Sequence, residues 1–297
     1  MPNPREGACW AFIRGSFEFF VYGWYPDTEK WRVNLSFILL IFAIVGVLKE
    51  TLPGKKYWLW FAAAFPFIAA WLLLGGLGLQ PVETSKLGGI LLTIIIGVTG
   101  ISFSLPIGIV LALGRRSNMP ALKTVCVLFI EFIRGVPLIT LLFVASTMLT
   151  YFLPPGSTFD LLMRVLIMVT LFSSAYIAEV VRGGLQGLPP GQYEAADSLG
   201  LTYWKAHRLI ILPQALKISI PGIVNTFIGL FKDTTLVLII GMMDIVGLGR
   251  ARLNDPYWLG LAGELYLFIA IFFFICCFSM SRYSINLENK LSTGRRD

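Results

Sequence analysis

The sequence predicts an all-α protein that crosses a membrane several times. Hydrophobic residues make up 56% of its 297 positions and charged residues only 14%, where soluble proteins are about a quarter charged. Mean hydropathy is +0.76. The apolar residues gather in runs of about 20, the length a helix needs to cross a bilayer and one that no other protein class requires so often.

About seven such spans can be marked along the chain. The first, 33–48, is short but sufficient, and the second is 58–79. The third, 88–113, is rich in Ile and Gly, and its Gly97, Gly100, Ser102, Ser104 and Gly108 suit close helix packing. The fourth, 122–151, contains Pro137 and is long enough to be two pieces. The fifth is 161–181, and the sixth, 218–243, carries Lys232 and Asp233. The seventh, 264–280, is strongly aromatic, as a lipid-facing helix can be.

The net charge of +7 is scattered, without a Lys/Arg-rich run, and reads as topology and not as nucleic-acid binding. Lys49, Lys55 and Lys56 follow the first span, Arg115, Arg116 and Lys123 the third, and Arg182, Lys205, Arg208 and Lys217 the fifth. These loops and the C-terminus are expected in the cytoplasm, with the N-terminus outside; Arg5, Arg14, Lys30 and Arg32 run against that last placement. An interfacial or membrane-dipping role for "AFIRGSFEFFVYGWY" would change the count of spans. Cys9, Cys126, Cys276 and Cys277 have neither metal nor disulfide spacing.

Between the fifth and sixth spans the chain reads "GLPPGQYEAADSLGLTYWKAHRLIILPQALK", residues 187–217. Pro189, Pro190 and Gly191 stop the preceding helix. A short helix is expected next, with Glu194 and Asp197 near its positive N-terminal end, ended or bent by Gly200. A second helical piece follows, and Pro213 begins the return to the membrane. Ala195 and Ala196 would let a partner's backbone approach closely. The alternative, a helix lying on lipid, would want a basic polar face, and this one is acidic.

Glu194-Ala195-Ala196, then Gly200, then Ile210-x-Leu212-Pro213 resembles, in residues and spacing, the EAA motif of ABC importer permeases. In that family the loop is the coupling helix that docks into a separate cytoplasmic ATPase. No G-x-x-x-x-G-K-[ST] phosphate loop occurs in this chain, so the resemblance places ATP and Mg on that partner and no cofactor here. "EFIRGVPLI", "YIAEVVRGGLQGLPPGQ" and "LFKDTTLV" resemble the polar amino-acid uptake permeases of the histidine/glutamine type, over about residues 86–291. Thr235 stands where that family often has Ser. The resemblance implies a five-helix type I importer core at 81–291, preceded by an extension at 1–80 with two spans and followed by a cytoplasmic tail at 292–297. The extension looks like that of the longer permeases of general L-amino-acid systems. The implied partners are ABC ATPase subunits, a second related permease, an external amino-acid-binding protein and the lipid bilayer.

Charges at membrane depth are costly and are paired or functional. Glu131 with Arg134, and Glu179 with Arg182, each stand three apart on one helix face. Two readings stay open for them: salt bridges that pin the helices at the cytoplasmic end, or gating and contact with a substrate ammonium. Lys232, Asp233 and Thr234 interrupt the sixth span, and Asn225 and Thr226 lie two turns earlier; they form either a structural pair or part of a pathway. The hydroxyls of Thr234 and Thr235 can rescue backbone groups if the helix breaks there. His207 is the single histidine, and there is no Ser/His/Asp constellation or metal set, which excludes most enzyme classes. The function expected is the permease subunit of an ATP-driven amino-acid importer. The alternative is an ion-gradient-driven secondary amino-acid transporter using Lys232, Asp233 and the Glu–Arg pairs.

Overall fold

Proline placement and small residues decide how the apolar runs become helices. The computed structural model describes residues 9–49, 51–152, 154 and 159–292. Arg5, most of the loop near residue 155 and the tail from 293 onward lie outside it. Among the described residues the elements are α1 (Ala11–Tyr22), α2 (Lys30–Leu48), α3 (Lys55–Leu74), α4 (Gly89–Arg115) and α5 (Pro120–Gly135). Then come α6 (Leu138–Met148), α7 (Leu161–Gln186), α8 (Gly191–Ser198), α9 (Tyr203–Ile240), α10 (Ile245–Leu253) and α11 (Ala262–Ser292). Six of these are long and apolar enough to cross a membrane, and the apolar pair α5 and α6, bent by 102° at the break between them, brings the number to seven if the pair is counted as one span. The bend falls at Val136, held extended at φ −112° and ψ 132° because Pro137 forbids it the helical region.

The sixth span differs from its sequence expectation. The helix does not start at 218 but at Tyr203, so the second helical piece of the loop and the membrane span are one element, α9. A π-turn at His207–Ile211 absorbs Pro213, whose ring nitrogen has no hydrogen for the carbonyl four residues back. At the far end, α9 tightens into a 3₁₀ segment at Thr234–Ile240. There the Thr234 hydroxyl donates to the Phe231 carbonyl at 2.7 Å and the Thr235 hydroxyl to the Lys232 carbonyl at 3.0 Å, as the sequence suggested. The "AFIRGSFEFFVYGWY" segment forms α1, which at 12 residues is too short to cross and packs Phe12 and Phe20 against Ile245, Leu265 and Ile269.

α4 is the central helix, lying against α7 and α9 along a small-residue stripe. Gly97, Gly100, Ser104 and Gly108 are buried in it. A Cβ on Gly108 would run into Ile177 of α7, and one on Gly97 into Phe231 of α9. Close backbone approach is the main source of helix association in lipid, where apolar side chains gain little from leaving a surrounding as oily as themselves.

The α4 N-terminus is fastened at the end of the molecule remote from α8. The Gly89 amide donates to the Met243 carbonyl at 2.9 Å, while Gly89 has φ +65° and lies against the Phe20 carbonyl. Asp244 is fully buried beside this junction and caps α10, accepting the Gly247 amide at 2.9 Å; its second carboxylate oxygen has no partner. Burial pushes the Asp244 carboxyl up to about 6, against the opposing pull of the Gly247 and Val246 amides and of Arg250.

Two outcomes follow from the junction. Gly89→Ala should lower the unfolding temperature in detergent, with a cost of roughly 1–3 kcal/mol from the left-handed backbone and more from the clash with Phe20. Asp244 has a folded-state value above its unfolded one, so its contribution grows as pH falls through about 6 and fades above it. In thermal scans, wild type should therefore gain stability relative to Asp244→Asn between neutral pH and pH about 5.

Candidate coupling element and charged cluster

The short helix α8 projects from the membrane edge between α7 and α9. Glu194 and Ala195 are exposed on it, whereas Ala196 is buried. The two alanines are thus divided: Ala195 faces outward, and Ala196 packs inward beneath the helix. The helix ends in a hydrogen-bonded cap, with the Gly200 amide donating to Asp197 O at 2.9 Å and the Leu201 amide to Ala196 O at 3.2 Å. Gly200 sits at φ +67°, the left-handed position that this cap requires, with open space around it. Leu199 and Trp204 stand out beyond it at 73% and 71% exposure. Ile210 and Leu212 are half-buried and Pro213 is exposed, while the unspecified motif residue between them, Ile211, is fully buried. The second half of the motif therefore seats α9 against α4 and α7.

Three bonds fix α8 to the membrane helices. Tyr193 donates its hydroxyl to the Leu185 carbonyl of α7 at 3.1 Å. Arg116, just past α4, donates to the same hydroxyl at 3.3 Å and lies 5.6 Å from the ring centroid. Gln214 of α9 donates to the Gln192 side chain at 2.9 Å.

One residue before Arg116 lies a knot of charges. Arg115 of α4 meets both Glu131 of α5 and Glu179 of α7 at 2.8 Å. Arg182 of α7 contacts Glu179 through both its Nε and its Nη2 atoms, at 2.9 Å for the closest pair. Arg134 of α5 reaches Glu179 at 3.6 Å. The Glu179–Arg182 pair is the expected i,i+3 bridge; a Glu131–Arg134 bridge is not found among the described ion pairs. The reason is the field of Glu179. Its carboxylate is only 14% exposed and draws guanidinium groups from three helices, because a charge removed from water must be compensated.

A polar cavity of about 340 Å³ lies further into the membrane between α7 and α9. Phe172, Ser173 and Tyr176 line one side, and Asn225, Thr226, Gly229 and Asp233 the other. The Ser173 hydroxyl is buried without a partner. Asn225 and Asp233 thus share one space, but Lys232 is exposed elsewhere and Thr234 is buried with its hydroxyl on its own helix. Lys232 and Asp233 form no salt bridge among the described residues, although Lys232 lies near enough for its charge to act on the Asp233 carboxyl. Arg134 stacks 5.6 Å from the Tyr176 ring, linking the cavity wall to the knot.

Comparison with known proteins resolves what this arrangement belongs to. The sequence pattern of the binding-protein-dependent transport system inner membrane component matches residues 104–293. The chain belongs to that family. This transport component is 52% identical to the Escherichia coli inner membrane amino-acid ABC transporter permease protein YhdY, over 98% of its own length and 80% of that protein's. It is 47% identical, with the same coverage, to the Rhodobacter capsulatus glutamate/glutamine/aspartate/asparagine transport system permease protein BztC. Among solved structures it resembles an amino acid ABC transporter crystallised with histidines, at 30% identity and a TM-score of 0.59, over 67% of this chain and 90% of that one. The MetNI methionine transporter, at 19% identity and a TM-score of 0.51, shares the fold.

Sequence reasoning overlooked Arg115, Arg116, Tyr193, Ser173 and Tyr176 as site residues. Arg115 and Arg116 stood out only as loop charges; their position directly at the end of an apolar run was the available signal. Nothing in one sequence marks Ser173, because its exposure to a cavity depends on how α7 meets α9.

The knot makes a ranking. Glu179→Gln should lower the unfolding temperature more than Glu131→Gln, since Glu179 serves three guanidinium groups and Glu131, 54% exposed, serves one. Thermal scans of both variants in detergent check the order.

Proposed function

We propose that this chain is the permease subunit of an ATP-driven importer of amino acids, with α8 as the element that an ABC ATPase grips. Membership of the family and the amino-acid systems named for its relatives support the reading. The observation that carries it is α8 itself: an exposed helix at the membrane edge, capped by Gly200 and bonded to the ends of α4 and α7 and to Gln214 within α9. A load applied to α8 reaches the three central helices through side chains that are already in contact.

In this reading α8 and the C-terminus face the cytoplasm, and α1 and α10 face outward. The extension at 1–80 precedes a core at 81–291. ATP and Mg are held by the ATPase subunits, so catalysis takes place off this chain. A second, related permease completes the pathway, and an external binding protein delivers the amino acid. The ATPases approach on ATP binding, the paired coupling helices move together, and the pathway opens outward; hydrolysis resets it. The cavity bearing Asp233, Asn225 and the unpartnered Ser173 hydroxyl is this subunit's part of the pathway. Its carboxylate suits the ammonium group common to all amino acids, and its amide and hydroxyls suit polar atoms of the substrate.

The test is uptake of a panel of labelled L-amino acids into proteoliposomes containing the chain with its co-purified partners. Internal ATP is compared with imposed ion gradients, with and without the binding protein. Uptake should require both ATP and binding protein; uptake driven by a gradient alone would overturn the proposal. Gly200→Val, strained by roughly 1–3 kcal/mol at its left-handed position, should still insert but lose uptake while ATP hydrolysis continues. Asp233→Asn should reduce uptake and leave ATPase assembly intact, as judged by co-purification.

A further inference from the structure

A second, larger cavity has no place in this transport scheme. It measures about 480 Å³ and lies between the extension hairpin, α2 with α3, and the core helices α4 and α7. Its walls are almost wholly aliphatic and aromatic, from Phe37, Leu40, Leu73, Leu91, Ile95 and Leu166 among others. Apart from Thr99, part-way along α4, the few polar groups lie toward one end. There Thr84 donates its hydroxyl to Asp160, which also caps α7, and the Ser36 hydroxyl is buried without a partner. The other end is marked by Phe67 of α3 and Phe103 of α4, edge to face with centroids 5.7 Å apart.

We propose that this cavity holds an acyl chain of a membrane phospholipid, drawn from the leaflet remote from α8. Water does not fit it: a buried water needs 2–4 polar partners, and a space lined by apolar side chains offers none along most of its length. The flanking helices are all membrane spans, so the surrounding medium is lipid. The dimensions agree. Along α4, Leu91 to Phe103 rises about 18 Å at about 1.5 Å per residue, against about 15 Å for half of a 30 Å hydrocarbon core. The Thr84–Asp160 end adjoins the N-terminus of α4, and α4 reaches the α8 region only at its opposite end, through Arg116. The cavity thus starts at the face remote from α8 and stops near mid-membrane, as a chain from that leaflet does. The rim is accessible from the bilayer beside Met163, 45% exposed, and Phe67, 66% exposed. The extension is braced on itself at this end by polar bonds, Arg32 to the Gln80 carbonyl at 2.7 Å and Tyr25 to the Leu73 carbonyl at 2.8 Å, and its Val33 and Leu73 join Leu87 and Leu91 of the core in one apolar cluster. The lipid fills the space between hairpin and core below those bonds. The inference rests on the membrane-spanning fold and is independent of which solute is carried.

The experiment uses the full chain in bilayers containing a phospholipid with a diazirine near the middle of one acyl chain. After illumination, adducts are mapped by peptide mass spectrometry. They should concentrate on cavity-lining residues of α3 and α4, and Val98→Phe, which fills the cavity, should remove them while leaving those on the outward Ile41 of α2. Native mass spectrometry of the detergent-washed protein should show a retained phospholipid in wild type and in Ile41→Ala, and none in Val98→Phe. Equal labelling of the lining and of outward residues such as Ile41 and Trp60 in wild type would overturn the proposal without recourse to any variant. So would retention of the same lipid by Val98→Phe.

Discussion

A carboxylate at the edge of a membrane protein cannot stand uncompensated, and the arrangement of the α8 end of this chain follows from how Glu179 meets that constraint. Its own helix supplies Arg182, the end of α4 supplies Arg115, and the last turn of α5 supplies Arg134. Three helices that have little else polar in common are thereby held at one point. Where such a group is largely removed from solvent, loss of one partner leaves the others unbalanced, so the set behaves as a unit.

The knot has two extensions. Through the chain itself, Arg115 leads to Arg116, whose guanidinium lies on Tyr193 of α8. Through Arg134 it leads to the Tyr176 ring, and so to the wall of the polar cavity. Packing does the remaining work: the stripe at Gly97, Gly100 and Gly108 lets α4 seat closely on α7 and α9, so that a displacement at one end is carried by stiff neighbouring helices. The hairpin of α2 and α3 stands apart from this train, meeting the other helices across the larger apolar cavity and through Val33 and Leu73, which cluster with Leu87 and Leu91.

The helical class, the positions of most spans and the short helix ending at Gly200 were legible because each rests on a local signal. Apolar run length marks spans, Pro137 marks a break, and a glycine after a helical stretch marks a left-handed cap. The join of the second helical piece of the loop to the sixth span was not legible. Pro213 reads as a boundary in sequence, while the structure accommodates it with a π-turn. The Glu–Arg spacing correctly suggested the Glu179–Arg182 bridge and misled for Glu131, because helical spacing says which residues can meet and not which competing partner is nearer. Lys232 and Asp233 are adjacent in sequence and so leave the helix in different directions; only Asp233 reaches the cavity. Ser173 and Tyr176 acquire meaning from the crossing of α7 and α9, which no single segment encodes.

The account stands or falls on α8 being the surface gripped by the ATPase. A photo-crosslinking amino acid in place of Leu199, 73% exposed beside the Gly200 cap, addresses this directly in the assembled complex. The same probe in place of Tyr257, 72% exposed at the opposite end of the molecule, serves as the comparison. The account predicts a covalent adduct with the ATPase subunit from position 199 and none from position 257. Adducts from position 199 with lipid alone, in a complex that retains its ATPase, would contradict it.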